Sequence, residues 1–311
     1  MWPASVDVRS TCHQGPRPRE RTIWRSPIPV TPETRWYTGG VSLFIDRLDA
    51  IAQKNKSLVC VGLDPWRPSM PIADIAAFNK AIIEATHDLV CAYKPNSGFY
   101  EAEGFDGLRA LEATIAAVPD GIPVILDAKR GDIGSTAEAY AKAAFEVWGA
   151  DAVTVNPYMG GDTLEPFLAY EDRGVFVLTR TSNPGARDFE ELVLDGQPLY
   201  ERVTERVREM NTHRNAGLVV GATAPEELAR VRAIAPEMPI LIPGIGTQGG
   251  ALESSIRNGA DARGLRAIVN ASRSVIYASK GADYAEAART AATKLRDDIN
   301  VVRSEMGFAW S

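Results

Sequence analysis

One short segment, Leu126 to Thr136, carries charged side chains at a spacing that lets a carboxylate and an ammonium group pair. Side chains alternate along an extended strand, so Asp127 and Lys129 of its D-x-K sequence are expected to point to the same face and to pair. Buried ion pairs are poor stabilising devices, because desolvation offsets much of their attraction. We therefore interpret this pair as catalytic rather than as an ion pair that only closes the end of the fold.

The residues that follow predict how the strand passes into a helix. Gly131 permits a turn after the charged pair, and Ser135 or Thr136 can cap a helix that begins near Ala137.

Other polar residues come directly after further apolar runs. They are Asp64 after the first run, Lys94 after the second, Asp127, Lys129 and Asp132 after the third, Asn156 after the fourth, and Thr179–Ser182 after the fifth. The carboxyl ends of strands in a parallel barrel open on one face, where active sites are found. We expect these side chains to converge there. For Asn156, a supporting role behind the site and a simple turn before Pro157 are equally compatible with the sequence.

Eight apolar runs provide the strands that must position these side chains. They are Leu58–Leu63, Leu89–Tyr93, Pro123–Leu126, Ala152–Val155, Val175–Leu178, Gly217–Val220, Pro239–Ile242 and Ala267–Val269. The runs show little alternation, as is typical of parallel strands buried on both faces. Amphipathic stretches such as Pro71–Ala85, Ala137–Trp148 and Pro225–Ile234 lie between them.

Eight strand–helix units in about 270 residues predict an α/β fold, a single (β/α)8 TIM barrel. A doubly wound open sheet is the competing architecture. The dinucleotide-binding form of that sheet is disfavoured, because no G-x-G-x-x-G sequence follows the first strand.

The first forty residues differ in composition from the rest of the chain. They contain six of the 20 prolines, three of the six tryptophans, and a local charge of +3. This composition predicts a disordered extension over residues 1–40, without a catalytic role, followed by the barrel domain over residues 41–311.

Charge and composition exclude several classes of function. The net charge of −6 argues against a surface that binds nucleic acid. Three scattered histidines and three cysteines without a C-x-x-C pair predict no metal site, and they favour a reduced, cytoplasmic setting. No apolar run is long enough to predict a membrane span.

The segment D-A-K-R-G-D-I-G-S-T resembles the signature of orotidine 5′-monophosphate decarboxylases, specifically their longer bacterial group. Five further blocks occur in the family's order: Val61–Pro65, Lys94–Asn96, Thr181–Gly185, Pro243–Gly250 and Asn270–Arg273. The similarity runs from about Leu43 to Ile276. It implies a cofactor-free lyase that converts orotidine 5′-monophosphate into UMP and carbon dioxide in pyrimidine biosynthesis.

The resemblance also implies catalytic roles. Lys94, Asp127 and Lys129 of one chain, with Asp132 from the partner of a homodimer, would form an array of alternating charge around the substrate carboxylate. Lys129 would protonate C6 of the pyrimidine as carbon dioxide leaves, and Asp127 would lie against the carboxylate. Ground-state repulsion and preorganised electrostatics remain two open accounts of the rate.

The remaining matches imply contacts with substrate. Asp64 and Lys94 would contact the ribose 3′-hydroxyl, Asp132 and Thr136 the 2′-hydroxyl across the dimer, and Ser182 the pyrimidine edge. The phosphate would be held by Gln248 and Arg273, with backbone N–H groups around Gly246 and Ser272. Asn183–Gln197 is the candidate lid, because binding energy from a distant phosphate can drive closure over the reacting carbon.

Two other functions are compatible with these sequence patterns. Mg²⁺-dependent sugar-phosphate decarboxylases and aldolases of the same superfamily share the D-x-K-x-x-D pattern, but they are expected to carry an acidic residue where Lys94 stands. A catalytically inactive UMP-binding protein is the second alternative. The intact Asp127 and Lys129 argue against it.

Overall fold

The computed structural model describes residues 43–245 and 249–310. The predicted extension, residues 1–40, and the predicted phosphate-binding residues Gly246 and Gln248 lie outside the described residues. None of the helices in the described ranges combines the length and apolar character needed to cross a bilayer.

Eight parallel strands alternate with helices and form the wall of a barrel. The strands are β1 (Val59–Gly62), β2 (Ala92–Lys94), β3 (Ile125–Arg130), β4 (Ala152–Val155), β5 (Gly174–Arg180), β6 (Ala216–Val220), β7 (Ile240–Pro243) and β8 (Ala267–Ala271). Their order in the sheet is β2-β1-β8-β7-β6-β5-β4-β3. Two isolated bridges, Tyr93 with Val124 and Asn96 with Asp127, join the outer strands β2 and β3. The predicted (β/α)8 barrel is confirmed.

The helices cover this wall. They are α1 (Phe44–Asn55), α2 (Ile75–Thr86), α3 (Ser97–Glu101), α4 (Gly104–Ala117), α5 (Gly134–Lys142), α6 (Glu165–Leu168), α7 (Leu199–Met210), α8 (Pro225–Ile234), α9 (Gly249–Gly259), α10 (Arg273–Ile276) and α11 (Tyr284–Glu305). A short antiparallel hairpin, Val193–Leu194 with Gln197–Pro198, projects from the loop after β5.

Helix α1 packs at the amino-terminal end of the barrel. The Phe44 ring lies 5.8 Å from the Phe176 ring, edge to face. A Cβ on Gly174, at the start of β5, would come within 2.6 Å of the Phe44 ring, so this position must be glycine for the helix to pack so closely. The amino-terminal end is therefore closed by packing, and the polar residues at the carboxyl ends of the strands are left to form the site.

Some element bounds differ from the sequence prediction. Strand β2 ends at Lys94, and β3 extends through Asp127 and Lys129, so these charges belong to the strands rather than to the loops after them. Helix α5 begins at Gly134 after Ile133, without a side-chain cap, so the predicted capping by Ser135 or Thr136 is wrong. Helix α8 has the predicted bounds.

Candidate active site

The carboxylate of Asp127 is the centre of a buried polar cluster at the carboxyl end of the barrel. Its Oδ2 accepts hydrogen bonds from Lys94 Nζ at 2.8 Å and from Asn96 Nδ2 at 3.1 Å. Its Oδ1 accepts from Lys129 Nζ at 2.5 Å and from Thr154 Oγ1 at 2.9 Å. Both oxygens therefore have two donors each, and the plane of the carboxylate is fixed.

Burial and charge oppose each other at this cluster. Lys94 is 3% exposed and Asp127 is 7% exposed. Burial alone would raise the pKa of Asp127, but Lys94 and Lys129 hold that pKa well below its usual range. Burial would likewise lower the pKa of Lys94, but Asp127 and Asp64 raise it above its ordinary value. Both groups are therefore charged at neutral pH.

Lys129 reaches this cluster by an unusual backbone path. Leu126 pairs with Val153 and Arg130 with Val155, so β3 bulges relative to β4. Lys129 lies in the bulge in the left-handed region, with φ of 47°, and its backbone N–H donates to Thr154 Oγ1 at 2.9 Å. The predicted pairing of Asp127 and Lys129 is confirmed, whereas the predicted extended geometry is wrong.

The bulge leaves Lys129 accessible. Its side chain is 45% exposed, in contrast to the buried Lys94. Gly131, predicted as a turn, instead allows a close approach, because a Cβ there would lie 3.2 Å from the Asn156 carbonyl oxygen. Asn156 itself is exposed and accepts a hydrogen bond from Tyr158 N–H at 2.9 Å, which is the turn role.

Asp64 lies beside this cluster, after β1. Its Oδ1 accepts from Asn96 N–H at 3.2 Å, and its carbonyl oxygen accepts from the Tyr277 hydroxyl at 2.8 Å. Asn96 therefore connects the Asp64 and Asp127 carboxylates, one through its backbone and the other through its side chain. Tyr277 in turn ties the loop after β1 to the segment after α10.

A cavity of about 790 Å³ opens between the ends of β1, β7 and β8, with Asp64 and Arg273 among its lining residues. Ser272 precedes α10, and a Cβ on Gly62 would fall 1.8 Å from its hydroxyl oxygen. The missing side chain at Gly62 thus admits Ser272 to the wall of the barrel. Arg273 is exposed at the first position of α10.

Three other predicted residues do not touch the Asp127 cluster within the described chain. Asp132 is half-buried, and its carboxylate accepts from Ile133 N–H at 2.8 Å. Thr136 is exposed in the first turn of α5. Ser182 is exposed after β5, and its carbonyl oxygen accepts from the Thr223 hydroxyl at 3.3 Å.

The candidate lid after β5 is anchored at its base. Thr181 donates to Glu190 through its backbone N–H and its hydroxyl, both at 2.8 Å. Arg180, buried at the end of β5, donates to Glu191 Oε1 at 2.6 Å. These two acidic residues hold the segment at the mouth of the barrel, next to Ser182.

Three polar residues of this region, Asn96, Thr154 and Asn270, were assigned no role from the sequence, although Asn96 and Asn270 belong to the blocks that carry the resemblance. Thr154 lies within an apolar run and Asn270 directly follows one, so both resemble core positions when only the neighbouring sequence is considered. A polar side chain inside a fully buried run requires a hydrogen-bond partner, and that requirement was the available signal.

Comparisons with known proteins agree with this geometry. A sequence model described as the orotidine 5′-phosphate decarboxylase / HUMPS family matches residues 57–290. An orotidine 5′-phosphate decarboxylase of Roseiflexus sp. (strain RS-1) is 54% identical over 265 residues, which cover 83% of this chain and 97% of that protein. One from Ralstonia pickettii is 51% identical over 84% of this chain and 99% of that protein.

A solved structure shows the same fold. The structure of Leishmania donovani OMP decarboxylase superimposes with a TM-score of 0.76 at 46% identity, covering 85% of this chain and 99% of that chain. The barrel, the order of the sequence blocks and these similarities lead to one conclusion. The chain belongs to the orotidine 5′-phosphate decarboxylase / HUMPS family.

Proposed function

We propose that this protein decarboxylates orotidine 5′-monophosphate to UMP and carbon dioxide, in the synthesis of pyrimidine nucleotides. The observation that carries the proposal is the fixed Asp127 carboxylate between two ammonium groups, of which Lys129 is open to the mouth of the barrel. The family description covers more than one activity. Close relatives named as orotidine 5′-phosphate decarboxylases favour this one.

The geometry supports a proton transfer from Lys129 without a cofactor. The bond between C6 and the carboxylate breaks, its electron pair stays on C6, and carbon dioxide leaves. Lys129 Nζ donates a proton to C6 and regains one from water through its exposed face. Asp127 keeps the Lys129 side chain in place, because the pair is held by a 2.5 Å hydrogen bond.

Binding is assigned to the rest of the site. Asp64 and Lys94 would hold the ribose, and Ser182 the pyrimidine edge. Ser272 and Arg273, with Gly246 and Gln248 from outside the described residues, would hold the phosphate. The loops after the seventh and eighth strands of such barrels commonly bind phosphate, and these four residues follow β7 and β8.

Asp132 and Thr136 are assigned to the site of a second copy of the chain in a homodimer. Exposed apolar side chains follow three neighbouring strands: Ile133 after β3, Tyr158 and Met159 after β4, and Phe189 after β5. The rings of Tyr158 and Phe189 contact each other at 6.3 Å. A patch of this kind next to Asp132 favours association on this face.

Residues 1–40 are proposed to be dispensable, and the free, buried Cys60 and Cys91 are compatible with a reducing cytoplasm. The match to the Roseiflexus relative covers 97% of that protein but only 83% of this chain. The unmatched part of this chain therefore has almost no counterpart in that relative. A chain that begins at Val41 should keep full solubility and turnover, and aggregation would show that the extension packs on the barrel.

The function is tested by turnover of orotidine 5′-monophosphate after exhaustive chelation. Lys94 stands where the Mg²⁺-dependent relatives are expected to have an acid, so the rate should be unchanged and equimolar UMP should form. Loss of activity with EDTA and recovery with Mg²⁺ would assign the chain to the sugar-phosphate branch. Tight binding of UMP with no turnover would instead show a binding protein.

A further inference from the structure

Asn270 is a buried amide that the proposed site does not use. It lies in β8, where it pairs in register with Cys60 of β1 and Pro243 of β7. Its residue exposure is only 6%, yet it lines the 790 Å³ cavity that also contains Asp64 and Arg273. The residue is thus almost fully enclosed by protein and forms part of the cavity wall.

The carboxamide oxygen of Asn270 is buried and has no hydrogen-bond partner among the described residues. Asn79 and Asn215 also have an unpaired oxygen, but their amide nitrogens each donate two hydrogen bonds within the protein. No such bond is seen from Asn270 to any described residue. A buried unpaired oxygen costs free energy of folding. Asn79 and Asn215 make two hydrogen bonds through the amide nitrogen that fix them in the fold, whereas Asn270 makes none to a described residue and needs another explanation.

The chemistry of the cavity indicates which ligand group the oxygen meets. A carboxamide oxygen accepts hydrogen bonds, so it suits a hydroxyl and is repelled by phosphoryl oxygens. Arg273 supplies the positive charge for a phosphate, and Asp64 supplies a second acceptor near the catalytic cluster. Two acceptors and a cation that line the same cavity suit the hydroxyls and the phosphate of a sugar phosphate.

We infer that Asn270 is a ligand-binding residue whose carboxamide oxygen accepts a hydrogen bond from a ribose hydroxyl. The inference rests on the proposed function, because it takes the ribosyl phosphate as the ligand. It adds a residue that selects for the sugar, separate from the groups that hold the phosphate and from those that act on C6.

Binding of UMP and its deoxy analogues to the full chain tests this inference. Asn270→Leu keeps the volume of the side chain and removes the acceptor, whereas Asn270→Ala cannot clash with its neighbours. Isothermal titration should show UMP binding weakened by about 5- to 10-fold in both variants, the size of one neutral hydrogen bond. One of the two analogues, 2′-deoxy-UMP or 3′-deoxy-UMP, lacks the hydroxyl that Asn270 bonds. The variants and the original protein should bind that analogue with equal affinity.

Thermal unfolding without ligand provides the second readout. Removing an unpaired buried amide should leave the melting temperature of Asn270→Leu unchanged or raised, whereas a structural asparagine would give a lower one. Unchanged UMP binding in both variants, or an equal loss for UMP and both deoxy analogues, would overturn the inference. If the original protein does not bind UMP, the proposed function itself fails.

Discussion

A single uncharged hydroxyl connects the backbone and the charges of the site. Thr154 is buried in β4, accepts from the Lys129 backbone N–H, and donates to the Asp127 carboxylate, both at 2.9 Å. It therefore stabilises the left-handed backbone of Lys129 and the orientation of Asp127 together. Strained backbone of this kind persists only where surrounding contacts determine it.

Replacing Thr154 should slow catalysis without weakening binding. Thr154→Val has nearly the same shape but removes both hydrogen bonds, so the Lys129 ammonium is no longer aligned. We expect kcat to fall by about 10- to 100-fold, as for loss of a hydrogen bond to a charged group, with UMP affinity within about 3-fold. Thr154→Ser keeps the hydroxyl and is the matched control. Equal impairment of the serine variant would show that packing, not the hydroxyl, matters.

The Lys94–Asp127 pair predicts a pH-dependent effect on stability. The lowered pKa of Asp127 stabilises the fold above the ordinary carboxyl range, and the raised pKa of Lys94 stabilises it below the ordinary lysine range. Between these limits the contribution of the pair is constant. Asp127→Asn leaves Lys94 buried without its main partner, which should cost about 3–5 kcal/mol at pH 7.

In this variant burial dominates, so the pKa of Lys94 should fall below its ordinary value. The variant should then regain stability between pH 7 and pH 10, as Lys94 loses its charge, while the original protein does not. Urea unfolding at the two pH values measures this difference, and Asp132→Asn, at a half-buried carboxylate bonded to Ile133 N–H, is the control. A loss that is the same at both pH values would rule out Lys94 as its cause.

At the scale of elements, the short helix α10 places Arg273 beside the cavity. Its preceding residue, Ser272, is seated against β1 through the space left by Gly62. The segment after α10 is fixed as well, because Tyr277 donates to the Asp64 carbonyl oxygen. The loops after β1 and β8 are thus held together, so the predicted phosphate and ribose contacts keep a set separation.

Removing the arginine should weaken both binding and turnover. We expect Arg273→Ala to bind UMP about 10- to 100-fold more weakly, since a charge-assisted contact to phosphate is lost, and to turn over bound substrate more slowly. Affinity for uridine, which has no phosphate, should not change. Arg206→Ala, at an exposed arginine of α7 paired with Glu209, is the control. Unchanged UMP affinity would show that Arg273 does not contact phosphate.

The sequence was sufficient to predict the eight strands, but not the backbone geometry and the hydrogen bonds at their carboxyl ends. Runs such as A-V-T-V predict β4 because strands buried on both faces have a distinctive apolar composition. The bulge at Lys129 has no local signal, because it arises from how β3 pairs with a strand that is distant in the sequence. The resemblance predicted roles in the site for Asp64, Lys94, Asp127 and Lys129. The connecting roles of Asn96 and Tyr277 depend on distances that only the folded chain has.

At the scale of the whole molecule, the proposed dimer makes each site depend on two chains. Lys129 belongs to the site of its own chain, while Asp132 lies beyond the bulge, next to the exposed patch at Ile133 and Tyr158. Closed two-fold symmetry would then build two equivalent sites.

Mixed dimers provide the test of shared sites. Lys129→Ala and Asp132→Ala homodimers should both be nearly inactive. After subunit exchange half of the dimers are hybrids, and each hybrid has one intact and one doubly altered site, so activity should recover to about a quarter of the original. Turnover measured with exchange verified by mass spectrometry checks this. No recovery would place Asp132 in the site of its own chain.

The isolated bridges between β2 and β3 have a consequence for how the barrel opens. The Tyr93 N–H donates to the Pro123 carbonyl oxygen at 3.0 Å, and the Asp127 N–H donates to the Pro95 carbonyl oxygen at 2.9 Å. The Lys94–Asp127 ion pair crosses the same junction. We call this junction between β2 and β3 the seam. Because few hydrogen bonds hold it, local opening of the barrel wall should expose its backbone amides to solvent most readily. Deuterium uptake at these two amides should therefore slow when a ligand occupies the site. Isotope exchange at the seam would report occupancy even in a variant that has lost all turnover.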